Sequence, residues 1–251
     1  MACPEKIPRP GLRKPRTVSR VAPGGFLCSV CRVKPRAFFA LLAATLLPVF
    51  GLAAPERWTN EIAALTAHDT ATSPAPGGVV FVGSSSIRLW KTLAEDFPGI
   101  PTINRGFGGS ELADSVFYLD RIVLPYQPRL VVLFAGTNDL WAGKSPEAVA
   151  ASFTAFRTQL HAALPETRLI YIAITLAPSR ARIHDQMREA NRLIAGEIAH
   201  DPRCTFVDIN PHMLGSGDLT PPPRLFVEDQ LHLNRDGYAI WAKVLAPYLK
   251  P

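Results

Sequence analysis

Cysteine is scarce in this chain and poorly placed for a scaffold. Four occur in 251 residues, and Cys3, Cys28 and Cys31 all precede the first stretch that reads as globular, which leaves Cys204 alone. No disulfide framework is available to the globular part. Cys28-x-x-Cys31 is a weak zinc signal, because no further Cys or His follows at suitable spacing, and it is read as incidental. Clustered basic charge is also missing from residues 37–251, where 18 Lys/Arg face 20 Asp/Glu. The formal charge of +6 comes from residues 1–36, with nine Lys/Arg against the single Glu5. The globular part therefore carries no nucleic-acid footprint, and no internal repeat marks it as a solenoid.

One long uncharged run does occur. Residues 1–36 are rich in Pro, Arg and Lys without hydrophobic periodicity, and are expected to form a disordered basic tail. Ala37 to Ala54 (AFFALLAATLLPVFGLAA) then follows Lys34 and Arg36 directly, the layout of a signal sequence or an uncleaved anchor. Pro48 and the small residues Gly51 to Ala54 suggest cleavage after Ala53 or Ala54. The expectation is a periplasmic or secreted protein, or one tethered to the inner membrane if the segment is retained. The tail is long for a signal peptide, so a translation start further downstream stays open. Residues 55–76 read as a linker with a short amphipathic helix, Arg57 to His68, and residues 77–251 as one domain.

Within that domain, apolar runs alternate with helical patterns. Val79 to Val82 follows the turn Pro76-Gly77-Gly78 and reads as a buried parallel strand. Helix is expected over Ile87 to Phe97, strand over Ile100 to Asn104, and helix over Glu111 to Leu124. Leu130 to Phe134 is the clearest buried strand. Pro146 opens a helix with Val149, Phe153, Phe156 and Leu160 on one face. Leu169 to Ile174 and Cys204 to Ile209 complete five strands, Met187 to Ile198 and Arg235 to Leu249 give further helices, and Pro211 to Val227 is a long irregular segment. Such alternation predicts an α/β fold, a parallel sheet with helices on both faces.

Four loops on the carboxyl side of this sheet carry candidate chemistry. Gly83-Ser84-Ser85-Ser86 joins a strand to a helix, where a serine can serve as a nucleophile. Ser84 and Ser86 can be proposed as well, but the spacing two residues after Gly83 favours Ser85. Gly109 closes the second loop and lets a backbone N–H approach a bound oxygen. Asn138 offers an amide to the same oxygen. Asp229-Gln230-Leu231-His232 places a carboxylate close enough in sequence to orient an imidazole. The other histidines, His68, His161, His184, His200 and His212, show no partner pattern and are read as solvated.

The blocks Phe81-Val82-Gly83-Ser84-Ser85, Asn104-Arg105-Gly106-Phe107-Gly108-Gly109, Gly136-Thr137-Asn138-Asp139 and Asp229 to Asn234 resemble those of the SGNH, or GDSL-type, hydrolases. The nearest branch is similar to the platelet-activating-factor acetylhydrolase-like esterases. That resemblance implies a flavodoxin-like three-layer α/β/α sandwich with five parallel strands. It makes Ser85 the nucleophile, His232 the base, Asp229 its orienting acid, and the Ser85 amide, Gly109 and Asn138 the oxyanion hole. It implies no metal or organic cofactor. The expected activity is cleavage of short acyl groups, acetyl above all, from small-molecule, lipid or carbohydrate esters. A lysophospholipase- or thioesterase-type acyl hydrolase and a catalytically silent carbohydrate-binding member are the alternatives. Two positions depart from the family pattern: Ser84 and Ser110 stand where acids are usual, which is expected to alter the bracing of the loops without removing activity.

Overall fold

The five apolar runs become five parallel strands: β1 (Val79–Gly83), β2 (Thr102–Gly106), β3 (Leu130–Phe134), β4 (Arg168–Ile172) and β5 (Cys204–Val207). Their order in the sheet is β2-β1-β3-β4-β5, the doubly wound order of the flavodoxin-like fold. This computed structural model describes residues 55–67, 76–215 and 218–250. The expected tail 1–36 and apolar segment 37–54 lie outside the described residues, and among these no helix is long and apolar enough to cross a membrane. The helices in chain order are α1 (Thr59–Ala67), α2 (Ser85–Arg88), α3 (Leu93–Asp96), α4 (Leu112–Phe117) and α5 (Leu119–Ile122). They continue with α6 (Thr137–Trp141), α7 (Pro146–Ala163), α8 (His184–Ile198), α9 (Asn210–Met213) and α10 (Arg235–Leu249).

Side chains on a strand alternate between faces, and here both faces are covered, which is why the strands read as unbroken apolar runs. Val80, Val82, Val131, Leu133, Leu169 and Tyr171 pack with α1, α4, α5, α7 and α8. Val79, Phe81, Leu130, Val132, Phe134 and Ile170 face the other way, into a layer with α2, α3, α9 and α10. That second layer is aromatic. Trp90 stacks on Tyr238 at 5.1 Å and meets Trp241 edge-on at 5.9 Å. The long helices start as their sequences dictate: Ser145 caps α7 by accepting the Ala148 N–H, and Asn234 caps α10 by accepting those of Asp236 and Gly237.

Three stretches differ from the sequence expectation. The helix over Ile87 to Phe97 splits into α2 and α3, because the Asp96 carboxylate draws in Trp90 Nε1 at 2.7 Å, Thr92 Oγ1 at 2.8 Å and Arg235 at 2.6 Å, local bonds that compete with helical ones. The segment Glu111 to Leu124 breaks at Tyr118 into α4 and α5. The third difference concerns residues 55–76, read as a linker. Ile62 is fully buried in the core, Trp58 meets Phe107 edge-on at 5.8 Å, and Thr59 Oγ1 lies 3.3 Å from the Tyr118 hydroxyl. The amphipathic pattern expected over Arg57 to His68 supplies the apolar side that docks there. Burying one isoleucine contributes about 1.5–3 kcal/mol, so residues 58–62 belong to the folded unit rather than to a connector.

Candidate active site

In a sheet of this order the chain leaves β1 in one direction for β2 and in the other for β3, so the crevice at their carboxyl ends is the place where ligands bind. Both loops of interest start there. Gly83 ends β1 with φ of 142°, and a Cβ on it would lie 1.9 Å from the Phe134 carbonyl oxygen, so only glycine allows β1 and β3 to run this close. The Ser84 N–H then donates to that same oxygen at 3.1 Å. Ser85 follows as the first residue of α2, which leaves its N–H without an acceptor inside the helix. The Tyr238 hydroxyl, buried under the loop, donates to the Ser86 carbonyl at 2.8 Å.

Of the three serines, the structure brings Ser85 to His232. Its Oγ lies 2.7 Å from His232 Nε2, and His232 Nδ1 lies 2.5 Å from Asp229 Oδ2. A carboxylate can only accept, so Nδ1 carries the proton and Nε2 is left to receive one from the serine. Asp229 Oδ1 also accepts the N–H groups of Leu231 at 2.8 Å and His232 at 2.9 Å. Burial by itself raises the Asp229 carboxyl, but the His232 amide, the imidazole and the Leu231 amide outweigh it and hold the group below its usual value. The loop that presents the pair is a tight reversal. Gln230 adopts φ of 55°, the Val227 N–H donates to the His232 carbonyl at 2.8 Å, and Phe226 bridges Leu233.

Asn138 sits in α6, directly after β3, and lines the same small cavity as Ser85. One of its amide hydrogens goes to the Ser110 carbonyl at 2.8 Å, so the other remains to be offered to a ligand. That bond also ties α6 to the loop after β2, where Gly109 adopts φ of 71°. The loop is braced from outside as well. Glu61 accepts the Gly108 N–H at 3.2 Å and Arg57 donates to the Gly109 carbonyl at 3.1 Å. Next to Asn138, the Asp139 carboxyl is pushed up to about 6 by burial, against the Leu112 N–H and the Lys144 charge.

The remaining sequence candidates fall elsewhere. Ser84 caps α2 with no side-chain capping bond, and Ser110, fully buried, donates its hydroxyl to the Phe107 carbonyl at 2.9 Å. His184, read as solvated, is buried with Nε2 2.9 Å from the Ala177 carbonyl. Sequence reasoning also missed Ser179, whose N–H and hydroxyl both reach the Gln230 carbonyl, at 3.1 and 3.0 Å, and so hold the reversal between Asp229 and His232. Nothing in its local pattern announces that role. Among the described residues His161, Asp201 and Cys204 present donor atoms within 4.8 Å of one another. They lie at the amino end of β5, the opposite edge of the sheet. The Arg203 guanidinium takes both Asp201 oxygens at 2.9 and 2.8 Å and holds the carboxyl at about 2, while burial raises the Cys204 thiol to about 11. That chemistry is an ion pair beside a buried thiol.

A nucleophile hydrogen-bonded to a base, a base oriented by a carboxylate and an amide side chain, Asn138, lining the same cavity are parts that acyl transfer requires. Comparison with known proteins agrees: residues 78–240 match the family model described as GDSL-like lipase/acylhydrolase. This chain belongs to the GDSL-like lipase/acylhydrolase family. It is a hydrolytic, ester-cleaving enzyme of that family. It is 26% identical over 168 residues to the human platelet-activating factor acetylhydrolase IB subunit alpha1, an alignment spanning 64% of this chain and 70% of that relative. Among solved structures it is similar to a GDSL-like lipase from Bacteroides thetaiotaomicron, with a TM-score of 0.63 at 21% identity, covering 79% of this chain and 98% of the other. An acetylxylan esterase from Geobacillus stearothermophilus, a catalytic mutant, shares the fold with a TM-score of 0.58 at 15% identity, covering 70% of this chain and 94% of the other. In this GDSL-like acylhydrolase the Ser110 hydroxyl closes the loop after β2 through its bond to Phe107.

Proposed function

We propose that this acylhydrolase removes short acyl groups, acetyl above all, through a covalent acyl-serine. Ser85 Oγ attacks the ester carbon as its proton passes to His232 Nε2, and Asp229 steadies the imidazolium that forms. The oxygen that becomes negative is received by the N–H groups of Ser85 and Gly109 and the free amide hydrogen of Asn138. His232 returns the proton to the departing alcohol, the C–O bond breaks, and water attacks the acyl-serine by the same path in reverse. The observation that carries this reading is the unbroken relay from Ser85 through His232 to Asp229 at 2.7 and 2.5 Å.

The preference for a short acyl group is supported by the cavity beside Ser85. It is a narrow cleft walled in part by Phe134, Thr137, Leu233 and Trp241, with room at its floor for about one water-sized group. The apolar run Ala37 to Ala54 supports an exported enzyme acting on envelope or extracellular esters. Hydrolysis of p-nitrophenyl acetate, butyrate and octanoate by the purified chain tests the reading, with Ser85→Ala beside it. Turnover that falls steeply with chain length and disappears in Ser85→Ala is expected; equal rates across the series, or activity that survives in the variant, would overturn it.

A further inference from the structure

The segment after β4, Pro178–Ile183, forms a single irregular 3-10 stretch whose Arg180 departs from helical geometry. It is fastened by Ser179 to the Gln230 carbonyl, and so to the loop carrying Asp229 and His232. From it two guanidinium groups reach the Trp141 indole, Arg180 at 4.0 Å and Arg182 at 3.7 Å from the ring centroid. Trp141 is the last residue of α6 and remains 37% exposed. It stands three residues after Asn138, and residues so spaced share a helix face.

Cation–π attraction explains why two arginines can settle on one indole. It does not explain the missing counter-charge. Among the described residues no carboxylate lies within salt-bridge distance of either guanidinium, and Arg180 Nε is buried without a hydrogen-bond partner. The neighbouring acid, Asp229, spends its oxygens on His232 and on two backbone N–H groups. Asp229 attracts Arg180 from beyond ion-pair distance, and neither planar fork is closed on a carboxylate, so both can take a carboxylate or phosphate brought by the substrate. The cleft beside Ser85 is narrow and lined largely by apolar groups, which suits the acyl group and leaves the anion to the alcohol half.

We propose that Arg180 and Arg182, stacked on Trp141, select acetyl esters of anionic alcohols, binding a carboxylate or phosphate of the leaving alcohol while the acetyl group occupies the small cavity at Ser85. This rests on the acyl-serine reading above. The proton and electron balance is unchanged from ordinary ester hydrolysis; the arginines act on binding alone.

The test compares matched acetates with the full chain. Phenyl acetate is set against 4-acetoxybenzoate for the carboxylate arm, and 1-acetylglycerol against 1-acetylglycerol 3-phosphate for the phosphate arm. The expected result is a kcat/KM about 10- to 100-fold higher for the anionic member of at least one pair, carried mainly by KM and shrinking as salt rises. Whichever arm shows it identifies the anion. Arg182→Gln and Arg180→Gln should bring that ratio towards one, and Arg182→Lys should restore part of it; a ratio cancels any general loss of activity or folding. Equal kcat/KM within both pairs, or a preference untouched in the glutamine variants, overturns the proposal while leaving the esterase reading intact. Should no acetate turn over, the esterase reading fails on its own, and calorimetric binding of 4-hydroxybenzoate and glycerol 3-phosphate decides the arginine site: binding lost in Arg182→Gln supports it, and no binding overturns it.

Discussion

The two halves of the active site are built in opposite ways. The relay half, Asp229 and His232, comes from four consecutive positions of one loop, held by its own backbone bonds and by Ser179. The oxyanion half proposed above draws on three loops and a fourth segment, since Ser85 follows β1, Gly109 follows β2, Asn138 follows β3, and Arg57 and Glu61 brace the glycines from outside. The carboxylates of the two halves, exposed at Asp229 and buried at Asp139, are shifted in opposite directions as well. Asp229 is held below its usual value by the hydrogen bonds it accepts, whereas Asp139 is raised by burial. A locally encoded half can be lost only by changing its own residues, while a composite half can be weakened from a distance.

The sharpest break in that comparison is His232→Gln, which should lower kcat on p-nitrophenyl acetate by at least about 1,000-fold, because the relay acts as a unit. Asn138→Ala should cost about 100- to 1,000-fold in kcat, the usual range for one oxyanion donor, with KM little changed. A KM effect of that size would instead make Asn138 a substrate-binding residue. The third test concerns pH. Asp139 has a folded pKa of about 6 against 3.8 in the unfolded chain, so its contribution to stability is full below about pH 4 and is lost as pH rises through 6. Asp139→Asn should flatten that part of the curve, by up to about 3 kcal/mol between pH 4 and 7 in urea unfolding. Asp229 runs the other way, stabilising above its unfolded pKa and losing that contribution as pH falls. The smallest effect is expected for Glu61→Gln, a fall of about threefold to tenfold in kcat with KM unchanged, read in steady-state kinetics.

The same contrast decides what was legible in the sequence. Asp229-x-x-His232 carries its geometry within one short motif, and the strand Leu130 to Phe134 and the helix Arg235 to Leu249 have the bounds that their periodicity predicts. Ser85 was chosen from three serines by spacing, and the structure sets that one against the imidazole. Residues whose role depends on a distant partner left no trace. Ser179 acts on Gln230 across 51 positions, and Glu61 on Gly108 across 47. The amphipathic pattern of Arg57 to His68 gives its helix an apolar side, but not that Ile62 on it enters the core. Asp96 divided an expected helix because its carboxylate collects side chains that propensity does not weigh.

Ser85 and Asn138 issue from β1 and β3, which are hydrogen-bonded neighbours from Val79–Leu130 to Gly83–Phe134. Adjacent strands stand about 4.8 Å apart, so the sheet itself works as a ruler for the points from which the Ser85 and Asn138 loops depart. The imidazole has no such ruler, hanging instead from a reversal fastened by a few bonds. On warming, the part of the site that slips first is therefore the base, and this hydrolase should go silent while its sheet is still standing.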